Sequence, residues 1–436
     1  MRILFVTPYA PSPIRVRSFN FIRQLSRKHE LALVTLLQGD PSEHESIVEL
    51  CNYCTEIYTH NLTKVESLSS CCTHLFTGVP LQAAYTRSFS AKETVRRLSR
   101  NGAFDILHVE HIRGAYLAEG IDSIPLVYDS VDCITLLLKQ RFTKASGIFD
   151  RLLQWEELIK MSSYEPKMAS IFNRIIVTSK RDKRALDFLI RRYLNVLPST
   201  RSKSFIPRPS QHGYLRGARL DGYNIHTELV SVVPNGVDTE YFQPINVPVQ
   251  KGSIVFSGRM AYFANSDAAL YFHDKVFPLV KAMVNNACFK IVGSDPPPFI
   301  RKLAGKQVEV TGYVADIRPY LASAEVVVCP LNAGVGIQNK VLEAMAMGKA
   351  VVATSVACKG IPGIVNGVHL LRADSPQDMA REIVNLMRDP LRRQMIGENA
   401  RQFVVNSYSW ETAVRMLVNV YEQVLETRTA VPYMAA

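Results

Sequence analysis

The stretch with the clearest chemical potential is a glycine-containing loop between an apolar run and a helical pattern. It occupies residues 326–348 and reads VVVCPLNAGVGIQNKVLEAMAMG. The start of a helix leaves main-chain N–H groups free and carries the positive end of the helix dipole, and both attract anions. Gly334 and Gly336 would let the main chain approach such an anion closely. The sequence therefore predicts a phosphate site at this loop.

Two common phosphate-binding patterns do not fit this loop. A dinucleotide-binding fingerprint would have a glycine at the position of Asn339 and an acid at the position of Thr354, after the next strand. A Walker loop would open the helix with Gly-Lys-Ser or Gly-Lys-Thr, which does not occur here. Both classes are therefore disfavoured.

The same stretch resembles the donor site of family 4 glycosyltransferases, whose pattern is LEAMA-x-G-x-(P/A)-V-V-A-T. Residues 342–348 (LEAMAMG) and 350–354 (AVVAT) match it. Further matching segments, in the order of the family, are 233–238 (VPNGVD), 256–259 (FSGR), 292–294 (VGS), 311–316 (TGYVAD), 400–401 (AR) and 408–410 (YSW). The resemblance covers residues 232–425 and is diffuse before them. It implies the GT-B architecture, an α/β fold with two Rossmann-like domains and a cleft between them.

The resemblance also implies a nucleotide-sugar donor, either a UDP-sugar or a GDP-sugar. Glu343 would bind the ribose hydroxyls, Arg259 would pair with the diphosphate, and the loop of Tyr313 and Val314 would border the base. The donor-binding residues that it implies are Gly258, Arg259, Tyr313, Val314, Gly334, Gly336, Ile337, Gln338, Asn339, Lys340 and Glu343.

Sugar transfer breaks the anomeric C–O bond and builds negative charge on the leaving diphosphate. Fixed positive groups aimed at that charge lower the barrier most. The family retains anomeric configuration and generally needs no metal, which implies that Arg259, Lys340 and the helix start stabilise the leaving group. We therefore expect neither a metal site nor a cofactor.

Two positions depart from the family pattern. The family often has two glutamates eight positions apart, and Val335 occupies the position of the first. A lysine commonly follows the phosphate-binding arginine by about six residues, and Asn265 occupies that position here. We expect Lys340, which shares a helix face with Glu343, to replace that lysine. Among the branches of the family, the chain most resembles the sugar transferases associated with bacterial exopolysaccharide assembly and exosortases.

The N-terminal half has polar residues at the ends of predicted strands. Residues 108–111 (HVEH) end one such strand, and the family places a histidine near there, against the donor sugar or the acceptor. We expect a catalytic or binding role for His111, with a structural, hydrogen-bonded histidine as the alternative. Weaker acceptor-side candidates, which could also be merely solvated, are Arg15, Arg17, Glu110, Asp129 and Asp132.

Short apolar runs alternate with amphipathic helical patterns along the chain, which predicts α/β units with parallel sheets. A length of 436 residues suits two domains of about 200 residues each. We expect an N-terminal acceptor-side domain at 1–247 and a nucleotide-sugar-binding domain at 248–410, joined by the Pro-rich passage 243–248. Residues 411–436 should form a helix that crosses back to the N-terminal domain, followed by a tail.

The formal net charge of +12 is unevenly distributed, and residues 191–219 hold seven basic residues without an acid. This predicted basic insert is either a solvated loop or a segment attracted to an anionic membrane surface. Nucleic acid is disfavoured as a partner because only Phe205 and Tyr214 could stack on bases there, and no binding motif accompanies them.

The chain contains no run of about 18 apolar residues, and its first residues, MRILFVTP, do not resemble a signal peptide. We therefore expect a cytoplasmic protein, either free or peripheral at the inner face of the cell membrane. Eight cysteines in this setting indicate reduced thiols. A zinc site that uses Cys51 and Cys54 is disfavoured, because the second pair, Cys71 and Cys72, is adjacent.

The leading interpretation is retaining transfer of a hexose or related sugar to a glycan or lipid-linked acceptor in polysaccharide biosynthesis. A nucleotide-sugar 2-epimerase is the nearest alternative, although it would need further carboxylates in the cleft. A non-catalytic scaffold that binds nucleotide sugars in a polysaccharide-assembly complex is the second. Only the departures at Val335 and Asn265 favour that scaffold.

Overall fold

A computed structural model of the chain describes residues 1–12, 16–144, 147–196, 229–333 and 337–429. The chain divides into two compact units. Unit 1 comprises Met1–Pro234 together with Val414–Ala436, and unit 2 comprises Asn235–Ala413. The domain limits given by the sequence analysis stay predictions.

Unit 1 is built on a seven-stranded parallel sheet. Its strands are β1 (Arg2–Thr7), β2 (Glu30–Leu37), β3 (Glu56–Asn61), β4 (Ile106–Glu110), β5 (Leu126–Val131), β6 (Arg174–Val177) and β7 (Val230–Val232). Its helices are α1 (Val16–Leu25), α2 (Ser42–Leu50), α3 (Lys64–His74), α4 (Leu81–Ala84), α5 (Phe89–Arg100), α6 (Ile134–Lys144), α7 (Ile148–Ala169) and α8 (Lys180–Val196), with a 3-10 turn at Ala115–Ala118. The central strands β1 and β4 are buried almost throughout, with only Arg2 at the start of β1 exposed, as expected for strands that are covered on both faces.

Unit 2 is built on a six-stranded parallel sheet. Its strands are β8 (Ser253–Ser257), β9 (Cys288–Val292), β10 (Val308–Gly312), β11 (Val326–Cys329), β12 (Val351–Ala353) and β13 (Leu371–Arg372). Its helices are α9 (Phe263–Tyr271), α10 (Phe277–Met283), α11 (Pro298–Arg301), α12 (Arg318–Ser323), α13 (Asn339–Ala346), α14 (Ser355–Cys358), α15 (Pro376–Arg388) and α16 (Pro390–Tyr408), with a π-helical turn at Phe272–Val276. The last helix, α17 (Trp410–Thr429), begins in unit 2 and belongs to unit 1 from Val414 onward.

Both sheets share one winding pattern. The strand order is β3-β2-β1-β4-β5-β6-β7 in unit 1 and β10-β9-β8-β11-β12-β13 in unit 2. In each sheet the first strand therefore lies between the second and the fourth, and the winding reverses between β1 and β4 and between β8 and β11. Open α/β sheets bind ligands outside the carboxyl ends of the strands at such a reversal. The predicted α/β class with two parallel-sheet domains is confirmed.

Several predicted features lie outside the described residues. They are Arg15, Gly334, Gly336, and the predicted basic insert beyond residue 196. Within the described ranges, no helix combines the length and the apolar character needed to span a bilayer. All eight cysteines are free thiols, and the described residues contain no group of three His, Cys, Asp or Glu side chains that could hold a metal ion.

Candidate functional site

In unit 2, two glycines allow close packing at the ends of β8 and β9. Gly258 follows β8 with a φ of +151°, and a Cβ atom built there would lie 2.8 Å from Asn265 Nδ2 and 3.3 Å from Lys340 Cε. Gly293 follows β9 with a φ of +146°, and a Cβ atom there would lie 2.0 Å from the main-chain oxygen of Gly258. Side chains at these two positions would therefore displace the strand ends.

Lys340 approaches the end of β8 from the first turn of α13. Its Nζ donates a hydrogen bond to Oδ1 of the buried Asn265, and Nδ2 of Asn265 donates to the main-chain oxygen of Arg259 at 2.8 Å. The ammonium also lies 5.3 Å from the centroid of the Phe256 ring, close enough for a cation–π contact. Lys340 is thus fixed at the winding reversal between β8 and β11.

The electrostatics of α13 favour an anion near its first turn. Burial lowers the pKa of Lys340, while the nearby Cys329 and Glu343 act in the opposite direction. The first turn has no acidic residue that would neutralise the positive end of the helix. Apolar residues on the opposite side of α13, from Val341 to Ala346, are buried in the core and hold the helix in place.

Glu343 lies three residues after Lys340 on the same helix and is half-buried. Burial raises its pKa to about 7, although Lys340 counteracts this effect. No residue in the described part of the chain donates a hydrogen bond to its carboxylate. Glu343 can therefore accept hydrogen bonds from hydroxyl groups of a ligand.

Arg259 is exposed and follows Gly258 at the end of β8. Its Nε donates to Asp295 Oδ2 at 2.9 Å, and 70% of its side-chain surface is accessible. An exposed ion pair of this kind contributes little to stability, so the guanidinium can exchange partners at low cost. Asp295 was not predicted from the sequence, although its place just after the VGS segment, at the end of the strand next to β8, was a usable signal.

The other predicted donor residues lie around this centre or along the same edge of the sheet. Ile337 packs partly on the core of unit 2, and Gln338 immediately precedes α13. Asn339 Oδ1 is buried and has no hydrogen-bond partner among the described residues. Tyr313 is 79% exposed and Val314 is partly buried, both just after β10, which is separated from β8 by β9.

In unit 1, Glu110 occupies the equivalent winding reversal, at the end of β4. It is only 2% exposed, and Tyr9 donates a hydrogen bond from its hydroxyl to Glu110 Oε1 at 3.1 Å. Burial raises the pKa of Glu110 to about 7, and the nearby Asp129 adds to this rise. The second carboxyl oxygen, Oε2, is buried without a partner in the described ranges.

Beside Glu110 lies a buried ion pair that the sequence did not predict. Arg17 Nε donates to Asp129 Oδ2 at 2.7 Å, and both side chains are buried. Burial raises the pKa of Asp129, and Arg17 opposes that rise. His108 Nε2 is 3.9 Å from the same oxygen, and Tyr421 of α17 lies 2.8 Å from its Nδ1. Burial lowers the pKa of His108 to about 3, so a neutral imidazole completes this network.

His111 follows Glu110 in a left-handed backbone conformation, with a φ of +65°. Its N–H donates to the main-chain oxygen of Asp129 at 2.7 Å, and its Nδ1 accepts from the N–H of Arg113 at 3.3 Å. Burial, with a smaller effect of Arg113, lowers the pKa of His111 to about 3. The imidazole is therefore neutral near pH 7. Such a φ is uncommon outside glycine and often marks a functional or strained position.

Asp132, the remaining acceptor-side candidate, is half-buried just after β5. Its Oδ1 accepts a hydrogen bond from Thr178 Oγ1 at 3.0 Å. Burial and the nearby Asp182 raise its pKa. This contact links the segment after β5 to the segment after β6, which indicates a structural role for Asp132.

Comparison with known proteins identifies similarity to sugar transferases. Residues 251–389 match the model of a family described as "Glycosyl transferases group 1". Alpha-maltose-1-phosphate synthase of Mycobacterium tuberculosis is 29% identical over 233 residues, which cover 46% of this chain and 58% of that protein. An uncharacterized glycosyltransferase of Methanocaldococcus jannaschii is 28% identical over 137 residues, which cover 29% of this chain and 34% of the relative. The chain thus spans between a third and about three fifths of these relatives.

A solved structure extends the similarity of fold to nearly the whole chain. The Anabaena protein Alr3699/HepE in complex with UDP and glucose superposes with a TM-score of 0.59 at 15% identity, covering 99% of this chain and 100% of that one. Together with the two parallel sheets, this similarity shows the predicted GT-B fold.

Proposed function

We propose that this chain is a glycosyltransferase that takes a sugar from a UDP- or GDP-sugar. The match of residues 251–389 to group 1 glycosyl transferases and the GT-B fold support a transferase. The UDP bound to the Anabaena protein supports a nucleotide-sugar donor. We further propose that the anomeric configuration is retained and that the acceptor is a glycan or a lipid-linked sugar in polysaccharide biosynthesis.

The observation that carries this proposal is the position of Lys340. Its ammonium lies at the end of β8, beside the start of α13, and none of the described carboxylates forms an ion pair with it. A diphosphate placed there would meet this charge, the free N–H groups of the helix start, and the exposed guanidinium of Arg259. These groups would stabilise the charge that develops as the anomeric bond breaks.

The rest of the donor would lie along the same edge of the sheet. Glu343, whose carboxylate has no described donor, would accept hydrogen bonds from the ribose hydroxyls. Tyr313, which is exposed, would border the base together with Val314. Gly334, Gly336 and the residues up to Asn339 would contribute main-chain donors to the phosphates and the sugar.

We propose that unit 1 binds the acceptor through its own winding reversal. Oε2 of Glu110, which has no described partner, and the neutral imidazole of His111 would bind the acceptor there. The buried pair of Arg17 and Asp129 would position them, because the main-chain oxygen of Asp129 holds the N–H of His111. Arg15 and Asp132 would contact the acceptor directly.

The contact between Lys340 and Asn265 weakens the case for a non-catalytic scaffold. That alternative depended in part on the absence of a lysine at position 265, but an ammonium does reach this position from α13. The 2-epimerase alternative has no specific structural observation in its favour. A cytoplasmic location, with the inner face of the membrane as a partner surface, is part of the proposal.

The first experiment is a thermal-unfolding screen of the full chain against UDP- and GDP-sugars. A ligand at 100 times its dissociation constant adds about 2.7 kcal/mol to the unfolding free energy, which corresponds to a rise in melting temperature of about 5 to 10 °C. The donor identified in this way is then incubated with and without lipid-linked or oligosaccharide acceptors. Release of UDP or GDP that depends on the acceptor supports a transferase. Binding without any release, or no binding by any nucleotide sugar, would contradict it.

A further inference from the structure

Helix α7 of unit 1 carries exposed apolar side chains on the side opposite its buried face. The residues Ile148, Leu152, Trp155 and Ile159 are 83%, 58%, 52% and 47% exposed. Their spacing of four, three and four residues aligns them along one side of the helix, and we call them the α7 stripe. The core contacts of α7 come instead from buried residues near its end, Met161, Tyr164 and Met168. Exposed apolar surface of this kind marks an interaction site.

The end of α3 adds apolar surface beside α7. Lys160 of α7 donates from Nζ to the main-chain oxygen of Leu75 at 2.6 Å, which brings the two segments together. Leu75 and Phe76 are exposed there, and Phe76 is almost completely so, at 96%. Two separate segments of unit 1 therefore present large apolar side chains to solvent in one region.

The charges around α7 indicate what this surface binds. Helix α8 packs on α7 and exposes basic side chains around the exposed Phe188. The exposed cations are Arg151 on α7 and Lys180, Arg181, Arg184, Arg191 and Arg192 on α8. On α7, Glu156 is paired with Lys160, and Asp150 lies two residues from Ile148, away from the stripe. An exposed apolar stripe on one helix, with exposed cations on the helix that packs against it, is the composition of an element that binds an anionic bilayer.

We propose that the α7 stripe docks unit 1 on an anionic lipid bilayer. This inference rests on the proposed function, because a lipid-linked acceptor presents its sugar at such a surface. The apolar side chains enter the boundary between head groups and acyl chains, and the indole of Trp155 suits this boundary because it is apolar with one polar N–H group. The cations of α8 meet the anionic head groups. A second copy of the chain would instead bring another excess of positive charge to the same place.

The chain contains a native reporter for this proposal. It has two tryptophans, and Trp410 is buried, whereas Trp155 belongs to the α7 stripe. The full chain is mixed with vesicles of phosphatidylglycerol and phosphatidylcholine, and the emission of Trp155 is recorded. We expect a shift to shorter wavelength and quenching by brominated acyl chains. Both effects should decrease in 0.5 M NaCl and in vesicles of phosphatidylcholine alone, because salt and neutral lipid remove the electrostatic part of the binding.

A pair of substitutions tests the stripe itself. Ile148→Glu with Leu152→Glu should reduce partitioning onto anionic vesicles by about 10-fold or more, since two apolar side chains no longer enter the lipid. Leu391→Glu is the matched control, because Leu391 is 80% exposed on α16 of unit 2. Equal partitioning of the stripe variant and the control would overturn the proposal.

Two further measurements distinguish docking on lipid from contact with protein, and the docking from the proposed transferase activity. Before vesicles are added, acrylamide should quench the emission of Trp155. If Trp155 were shielded instead, another part of the chain or a second copy would cover the α7 stripe. That result would overturn docking on lipid. Transfer to a soluble acceptor should be unchanged in the stripe variant, because the substituted residues lie outside the donor and acceptor sites. Vesicle binding without any transferase activity would contradict the proposed function but not the docking.

Discussion

The ammonium of Lys340 is hydrogen-bonded to the carboxamide of Asn265, a residue 75 positions earlier in the chain. Asn265 occupies the position at which the glycosyltransferases that this chain resembles commonly have a lysine. The carboxamide does not replace that cation itself, but it accepts a hydrogen bond from a cation carried by α13 and joins it to the main chain at Arg259. A positive charge therefore reaches the same strand end from a different helix.

The first prediction concerns this charge. If Lys340 stabilises the leaving diphosphate, Lys340→Ala should lower single-turnover rates at saturating donor by about 10²-fold to 10³-fold, the usual effect of one lost electrostatic donor. Donor affinity in calorimetry should fall much less. Lys359→Ala, which removes an exposed lysine of unit 2, is the control. A turnover within about threefold of wild type would show that Lys340 has no such role.

The second prediction is that the charge can be moved between the two positions. The double variant Lys340→Ala with Asn265→Lys should turn over at least about 10-fold faster than Lys340→Ala alone. The reason is that a lysine at position 265 restores a positive charge to the strand end that the native ammonium of Lys340 reaches. Asn265→Lys alone should lower turnover, since two adjacent cations repel each other and the carboxamide that holds Lys340 is lost. The same single-turnover assay measures both variants. A double variant no faster than Lys340→Ala would show that position 265 is not equivalent in function.

The third prediction uses the raised pKa of Glu343. Without ligand, the folded state keeps this carboxyl protonated up to about pH 7, whereas the unfolded state releases the proton near 4.5. The unfolding free energy therefore falls as pH rises between these values, by up to about 3 kcal/mol above pH 7. Glu343→Gln should be more stable than wild type at pH 8 and equal to it at pH 4. Denaturant unfolding at both pH values measures this difference, with Glu309→Gln as an exposed control.

The same residue should show the opposite effect on binding. Removing a charge-assisted hydrogen bond costs about 1.5 to 3 kcal/mol, so Glu343→Ala should weaken nucleotide binding roughly 10-fold to 150-fold in calorimetry. A carboxylate whose replacement by glutamine raises stability and whose replacement by alanine weakens binding is kept for function at the expense of stability. Unaltered affinity would remove Glu343 from the donor site.

The periodic and local features were accessible from the sequence. The strand, loop and helix at residues 326–348 appear in the structure as β11 and α13, with the loop residues Gly334 and Gly336 outside the described part. Such features depend on hydrophobic period and on glycine placement, which a single sequence records. The two parallel sheets followed from the same alternation of apolar runs and helices.

The long-range contacts were not accessible. From the sequence, Asn265 is only a departure from a family pattern, because its contact with Lys340 joins two distant segments. The segment 108–111 was a candidate, but the burial of His108 against Phe5 and Tyr421 also depends on segments far apart in the chain. The pKa values of Glu110, His111 and Glu343 are likewise set by burial, which no local pattern reports. Arg17 and Asp129 were proposed separately, and only the folded chain joins them.

The last prediction concerns His111. Because burial lowers its pKa to about 3, the imidazole is neutral throughout the working range, and wild-type turnover should show no titration near pH 6.5 that depends on this residue. The same pKa shift determines how the free energy of unfolding depends on pH. The unfolded state takes up a proton below about 6.5 and the folded state does not, so the contribution of His111 to stability is present above that pH and is lost as pH falls toward 3.

His111→Asn separates a role in the reaction from a structural one. Asparagine tolerates the positive φ of this position, so the melting temperature near pH 7 should stay close to that of wild type, whereas His111→Ala should lose about 1 kcal/mol of stability. If the imidazole hydrogen-bonds the reacting sugars, His111→Asn should lower kcat about 10-fold, the effect of one lost hydrogen bond. His44→Asn, on the exposed surface of α2, is the control. Normal kcat in a stable His111→Asn variant would show that the histidine only supports the turn after β4. If the pH–rate profile of the wild type had a titration near pH 6.5 that this variant abolished, the imidazole would be accessible to protons.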